Sequence, residues 1–218
     1  MRIAILIDEE RLDEEGPMLD RLARLLQDDE HEVIRVLAEP QTLREGDASC
    51  REDESLDGIR TLRFARRVLP WRRRARAESI VAACGRPPEV LLVSGEQVWR
   101  LGREVARAAD CPVAVDIWRL RLIERVNVWR RVDAGVRFLA PTERLAASLQ
   151  EELGAQEDVV RTVRYGVEWM PDPHPVLDRI DEAVSLVILG GASDQDAYRD
   201  LLDGLTEVLP DYPQMMVF

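Results

Sequence analysis

The spacing of apolar side chains changes period several times along this chain, most plainly between Pro87 and Trp118. Val90 to Val93 is an unbroken apolar run, too short for a helix, and predicts a strand buried on both faces. Ser94 and Gly95 break it. From Gln97 to Ala109 the apolar residues Val98, Leu101, Val105 and Ala108 recur at helical spacing, with Arg100, Arg103, Glu104 and Arg107 on the other side. Pro112 opens a second apolar run, Val113 to Val115, which ends in Asp116. Strand, helix and strand joined by short loops form a right-handed crossover, and such a unit needs parallel neighbours and helices on both faces. The expected fold is therefore α/β, a Rossmann-like, doubly wound and mostly parallel sheet, with its chemistry at the carboxyl ends of the strands near Ser94 and Asp116.

The same reading places a first strand at Arg2 to Ile7, an acidic loop through Glu15, and a helix from Pro17 to about Asp28 with the stripe Leu19, Leu22, Ala23 and Leu26. His31 to Leu37 is the second strand and Glu39 to Gly58 a long polar loop. Ile59 to Phe64 is a third strand whose Arg60 and Arg63 face solvent or a groove, and Arg72 to Cys84 is a helix. Trp118 to Val132 carries Trp118, Leu122, Val126 and Trp129 on one helical face, and Val136 to Ala140 is another strand. Thr142 caps a helix with the stripe Leu145, Leu149 and Leu153, and Gly154 ends it. Val159 to Tyr165 is the last strand of this part.

Three prolines in the seven residues from Trp169 to Pro175 mark a linker. Beyond it, Val184 to Leu189 is a strand and Gly190 and Gly191 a tight turn. Gln195 to Leu209 is a helix with Tyr198, Leu201, Leu202, Leu205 and Val208 inward, and Met215 to Phe218 starts a further strand. The expected organisation is a domain at residues 1–168, a linker at 169–183 and a partial second Rossmann-like unit at 184–218. One crossover unit cannot bury its own apolar faces. Residues 184–218 should therefore dock on the first domain, pair with another copy as a homodimer, or belong to a longer protein.

A chain of 218 residues with 46% hydrophobic and 33% charged side chains has an ordinary globular composition. No apolar run approaches the roughly 18 residues that span a bilayer, and the N-terminal MRIAILIDEE is unlike a secretory signal. Cys50, Cys84 and Cys111 are odd in number and widely spaced, which reads as free thiols in a reducing compartment, by default the cytoplasm.

The formal net charge of −12 is unevenly spread. Residues 1 to 59 hold 18 acids against 7 arginines, whereas residues 60 to 76 hold 8 arginines and no acid. The run from Arg60 to Arg76 offers a surface to anionic lipid, giving a peripheral membrane location, to an acceptor phosphate or to nucleic acid, or is a solvated face balancing the acidic N-terminal part. No nucleic-acid partner is expected.

Every basic side chain is Arg, since the chain has no Lys, and that excludes the P-loop. It also sets aside a phospho-receiver domain, which ILIDEE otherwise imitates, because that domain needs a Lys near its fifth strand. No two glycines stand in the G-x-G spacing of a dinucleotide-binding oxidoreductase. No metal or cofactor is expected.

Asp116, at a strand's carboxyl end, is the catalytic candidate, as general base or as binder of an acceptor hydroxyl; its alternative is a capping carboxylate. Ser94 and Gly95 contact ligand or form a plain turn. Gly16 before a helix would admit an anion to the helix N-terminus, against the five acids from Glu9 to Glu15. Gly190 and Gly191 form a phosphate nest or a simple turn. His31 and His174 read as structural or solvated.

Five segments in order resemble the family-four glycosyltransferases of the two-domain B-type fold. LARLLQDDEHEV at 22 to 33 resembles that family's LARxLxxxGHEV, with Glu30 for Gly, and CPVAVDIW at 111 to 118 resembles PxVYDxHD. VDAGVRFLAPTERLAASL at 132 to 149 resembles ADxVIxxSExLxxxL, and VRYGVEWM at 163 to 170 resembles VIPNGVDxxxF. LGGASDQDAYRDLLDGLTEVLPDYP at 189 to 213 resembles the opening of the second domain.

The resemblance implies a cleft between two Rossmann-like halves and transfer of a sugar from a nucleotide-sugar donor to an acceptor. Asp116, Gly16, Ser94, Gly95, Trp118 and Thr142 would then lie on the acceptor side, and Gly190 and Gly191 on the donor side. Trp118 stands where the family has its usual His; Gly191 and Asp196 stand where it has an Arg and a Lys that hold the donor diphosphate. The paired glutamates that bind the donor would lie past Phe218, so the chain alone is expected to be inactive. A non-catalytic, degenerate relative that binds a partner or ligand is the alternative.

Overall fold

Strand β1 (Arg2–Ile7) is buried from Ile3 to Ile7, because successive side chains enter two different apolar clusters. Ala4 and Leu6 join one, and Ile3, Ile5 and Ile7 the other. The same alternation holds in β5 (Val90–Ser94), where Leu91 and Val93 take one side and Leu92 the other. Burial on both faces leaves polar groups one place to go, the ends of the strands.

The computed structural model describes residues 1–39, 51–53, 58–65, 70–129, 135–154, 159–164, 184–186, 195–211 and 215–217. The chain divides into two units, Met1–Gly166 and Val167–Phe218. In the first, β1 is flanked by β2 (Glu32–Glu39) and β5, and the sheet continues through β3 (Arg51–Asp53), β4 (Arg60–Ala65), β6 (Val113–Asp116), β7 (Val136–Ala140) and β8 (Val160–Thr162) in the order β3-β4-β2-β1-β5-β6-β7-β8. Every pairing is parallel except β3 with β4. Chain direction across the sheet reverses between β1 and β5, which makes a switch point there. The doubly wound Rossmann-like sheet expected from the apolar pattern is the sheet found.

Helix α1 (Glu9–Asp28) packs Leu19 and Ala23 on one face. Helices α2 (Arg73–Ala83), α3 (Trp99–Ala109) and α4 (Glu143–Leu153) bury Ala77, Ile80, Leu101, Val105, Leu145 and Leu149 on the other. Helix α3 sits unusually close to the sheet. A Cβ added at Gly102 would lie 2.8 Å from Val93 Cγ2 and 3.4 Å from Leu6 Cδ2.

Several expectations need correction. The acidic stretch from Glu9 to Glu15 is helical, because Asp8 caps α1 and acids in a first turn complement the helix dipole. A kink at Glu15 then puts Pro17 in the first turn of the helix's second half, where its missing N–H costs nothing. The long polar loop contains β3, and the buried stripe of α3 includes Ala106 while Ala108 is exposed. Residues Leu120–Trp129 form a 3-10 segment rather than an α-helix, with Leu122, Ile123, Val126 and Trp129 buried. As expected, Arg60 is not in the core: its side chain, 35% exposed, donates to the carbonyls of Ala83 and Cys84 at the end of α2 and pairs with Glu52.

The second unit holds a parallel pair, β9 (Val184–Leu186) and β10 (Met215–Val217), joined by α5 (Gln195–Val208). Leu205 is buried, whereas Leu201 and Leu202, expected inward, are exposed. The linker at 169–183 and the side chains of Tyr198 and Val208 lie outside the described residues.

Two predictions follow from packing. Gly102→Ala should lower stability by about 1–3 kcal/mol in urea denaturation, since Val93 must move; an unchanged midpoint would show that α3 can lift away. Burial, with a smaller effect of Asp110, pushes the free Cys111 thiol up to about 11. A raised thiol pKa stabilises the fold fully below the unfolded value near 9.0 and loses that contribution as pH climbs toward about 11. Denaturation curves across that window should therefore flatten in Cys111→Ala relative to the parent.

Candidate functional site

Register brings three strand tips into one row, with Ile7 opposite Ser94 and Ser94 opposite Asp116. The backbone N–H of Asp8 donates to the Ser94 carbonyl at 3.2 Å and extends the pairing by one residue. Asp8 then uses both carboxylate oxygens. Oδ1 accepts the backbone N–H of Arg11 at 2.9 Å and Oδ2 that of Gln97 at 2.9 Å, so one buried side chain caps α1 and the turn that leads into α3. Gly95 lies between these, at φ 120°, and a Cβ there would fall 2.2 Å from Asp8 Cγ. The glycine is required by this close approach.

Arg11, on the first turn of α1, points back over the strand tips. Its Nη2 and Nε donate to Asp116 Oδ2 at 2.9 and 3.2 Å, and Nε lies 3.3 Å from Ser94 Oγ. The Ser94 hydroxyl donates to the same Asp116 oxygen at 2.8 Å. The Arg11 and Asp116 side chains are each 1% exposed. The guanidinium carbon stands 4.4 Å from the centroid of the Trp118 ring, so the cation has a carboxylate on one side and an aromatic face on another. Arg11 Nη1 is buried without a hydrogen-bond partner, with Glu15 Oε1 at 3.7 Å.

Around this pair, the acids of the early turns meet arginines from the segment after β6. Arg119 bridges to Glu14 at 2.5 Å and to Glu10 at 3.7 Å, Arg121 pairs with Glu10, and Arg125 pairs with Glu96. These pairs are partly exposed and individually weak. Together they offset the acidic N-terminal turn. Among the described residues no group of three or more His, Cys, Asp or Glu side chains is arranged to hold a metal.

The structure thus gathers four sequence candidates, Ser94, Gly95, Asp116 and Trp118, and adds Asp8 and Arg11. Asp8 had a signal, an Asp before two acids and three residues ahead of the first residue whose N–H it caps. Arg11 had none, since its partners lie 83 and 105 residues away. Asp116 is shut from solvent, and its Oδ2 accepts three hydrogen bonds, two from Arg11 and one from Ser94. Gly16 is buried just past the kink of α1, immediately ahead of Pro17 in the first turn of the helix's second half. Thr142 is exposed and caps α4 by accepting the backbone N–H of Leu145 at 3.2 Å. Gly190 and Gly191 lie outside the described residues.

Removing one partner of the buried pair leaves an uncompensated charge. Arg11→Leu or Asp116→Leu alone should cost about 3–5 kcal/mol, and the double variant much less than the sum. A urea double-mutant cycle measures this, and small, additive single losses would show that the pair does not hold the strand tips.

No family model and no curated protein matches this sequence. Solved structures do match it in fold. Anabaena Alr3699/HepE in complex with UDP is similar at TM-score 0.61 and 12% identity, over 100% of this chain and 69% of that one. The apo form of the lipopolysaccharide outer core galactosyltransferase WaaB matches at TM-score 0.61 and 11% identity, over 100% and 68% of the two chains. Acinetobacter baumannii MurG matches at TM-score 0.53 and 14% identity, over 100% and 65%. The likeness is one of fold, and the fold is the GT-B type that the motifs resemble.

Proposed function

We propose that this chain comprises the acceptor-side domain, and the start of the donor-side domain, of a glycosyltransferase that moves a sugar from a nucleotide-sugar donor to an acceptor. The observation that carries the reading is the likeness over the whole chain to a protein solved with UDP. The parallel sheet supports it, because ligands of such sheets sit beyond the strand tips at a switch point, where Ser94 and Asp116 lie.

In this reading Asp116 acts through Arg11. The carboxylate and Ser94 fix the guanidinium beneath Trp118, which stands at the position of the family's His. Gly95 permits Asp8 to cap two helical turns at once, and Thr142 borders the acceptor side from the tip of β7. Gly190 and Gly191 serve the donor diphosphate. Among the described residues no helix is long and apolar enough to cross a membrane, and the buried free thiols Cys84 and Cys111 support a reducing, cytoplasmic setting.

A second reading, a non-catalytic relative that binds a partner or ligand, is favoured by one observation: the carboxylate best placed for chemistry is already filled by this chain's own Arg11. The two readings part in one experiment. Under the transferase reading UDP raises the thermal midpoint, by a stabilisation of about 2.7 kcal/mol at a hundredfold excess over its dissociation constant, while the chain alone, with only the start of a donor-side domain, turns over no UDP-sugar. If no nucleoside diphosphate moves the midpoint, this chain retains no donor site and the non-catalytic reading is favoured.

A further inference from the structure

The buried ion pair accounts for Arg11, and the contacts of Arg60 with Glu52 and the end of α2 account for that residue. What remains of the basic run centres on the start of α2. In sequence it reads RRVLPWRRR from Arg66 to Arg74, four apolar residues between two groups of arginines. Pro70–Arg72 form a single 3-10 turn that leads straight into α2. Trp71 on that turn is 74% exposed, more than any other described large hydrophobic side chain.

The local electrostatics are unusual for a helix start. Arg72 occupies the cap position with no side-chain cap, and the first turn of α2 has no acid. Cations there oppose the positive end of the helix dipole, so the arrangement weakens the free helix. The acid paired nearby is Glu78, which meets Arg74 at 3.0 Å with both side chains well exposed, a contact worth little in water. The opposite face of the helix is fixed to the core through Ala77 and Ile80. A helix anchored on its buried face therefore presents an exposed indole directly before three consecutive arginines.

We propose that this turn is a docking site for an anionic bilayer, with Trp71 at the headgroup boundary and Arg72, Arg73 and Arg74 against lipid phosphates. An amphipathic ring favours that boundary, and each cation near an anionic surface adds to the attraction. Charge complementarity also sets the orientation, because the chain as a whole carries −12 and the rest of it is repelled. A nucleic acid would match the arginines and the indole and leave Val68, Leu69 and Pro70 without a role. The proposal does not rest on the transferase reading.

The test is sedimentation of the full chain with vesicles, either of phosphatidylcholine alone or of phosphatidylcholine with about one third phosphatidylglycerol. The chain should sediment with the anionic vesicles only, and raising salt from about 0.1 to about 0.5 M should release it. Arg72→Glu with Arg73→Glu should weaken partitioning roughly 100-fold without lowering the thermal midpoint, since acids suit a helix start. Trp71→Ala should weaken it roughly tenfold and abolish the blue shift of tryptophan emission on vesicle addition. Equal binding to neutral vesicles, no binding to anionic ones, or variants that bind like the parent would overturn the proposal. Tighter binding to a single-stranded oligonucleotide, lost in the same variants, would overturn it in favour of nucleic acid.

Discussion

A sheet sealed on both faces has no lateral exit for polarity, and that constraint shapes everything at its carboxyl end. With Ile3 to Ile7 and Leu91 to Val93 all buried, the first polar side chains after the strands converge within a few ångströms. Asp8, Ser94 and Asp116 meet there because in-register parallel strands end together. Two carboxylates this buried require compensation. Asp8 finds it in two backbone N–H groups, and Asp116 in Arg11 and Ser94. The site is a consequence of the sheet before it is anything else.

The strands were legible because burial writes short apolar runs into the sequence, uninterrupted where both faces are covered, as in β1 and β5. Arg2 to Ile7 and Val136 to Ala140 fall where the pattern puts them, as does the Thr142 cap with Gly154 at the far end of α4. The start of α1 was not legible, because a run of acids reads as a loop until the arginines that answer Glu10 and Glu14 are seen, and those lie 105 to 111 residues later. Strand β3 escaped for another reason. Three polar residues carry no period, and only the pairing with β4 defines them. Of the site, Ser94, Gly95, Asp116 and Trp118 were visible as strand-end residues. The partner that engages Asp116 was not, since nothing local ties Arg11 to it.

This distribution bears on how function is weighed. A B-type fold is shared by the chain and its structural neighbours at identities of 11–14%, and at that distance the scaffold carries across while side-chain chemistry does not. Here Asp116 stands at a strand tip of that scaffold and its environment is this chain's own. The Arg11 guanidinium, beside the Trp118 ring, engages the carboxylate.

The margins of the sheet have a consequence for behaviour at high concentration. Both outer strands, β3 and β8, are three residues long, and β3 runs against the direction of all the others. A ladder that short offers an incoming chain few places to bond. Borders this narrow give the apolar interior of the sheet little backbone template to extend.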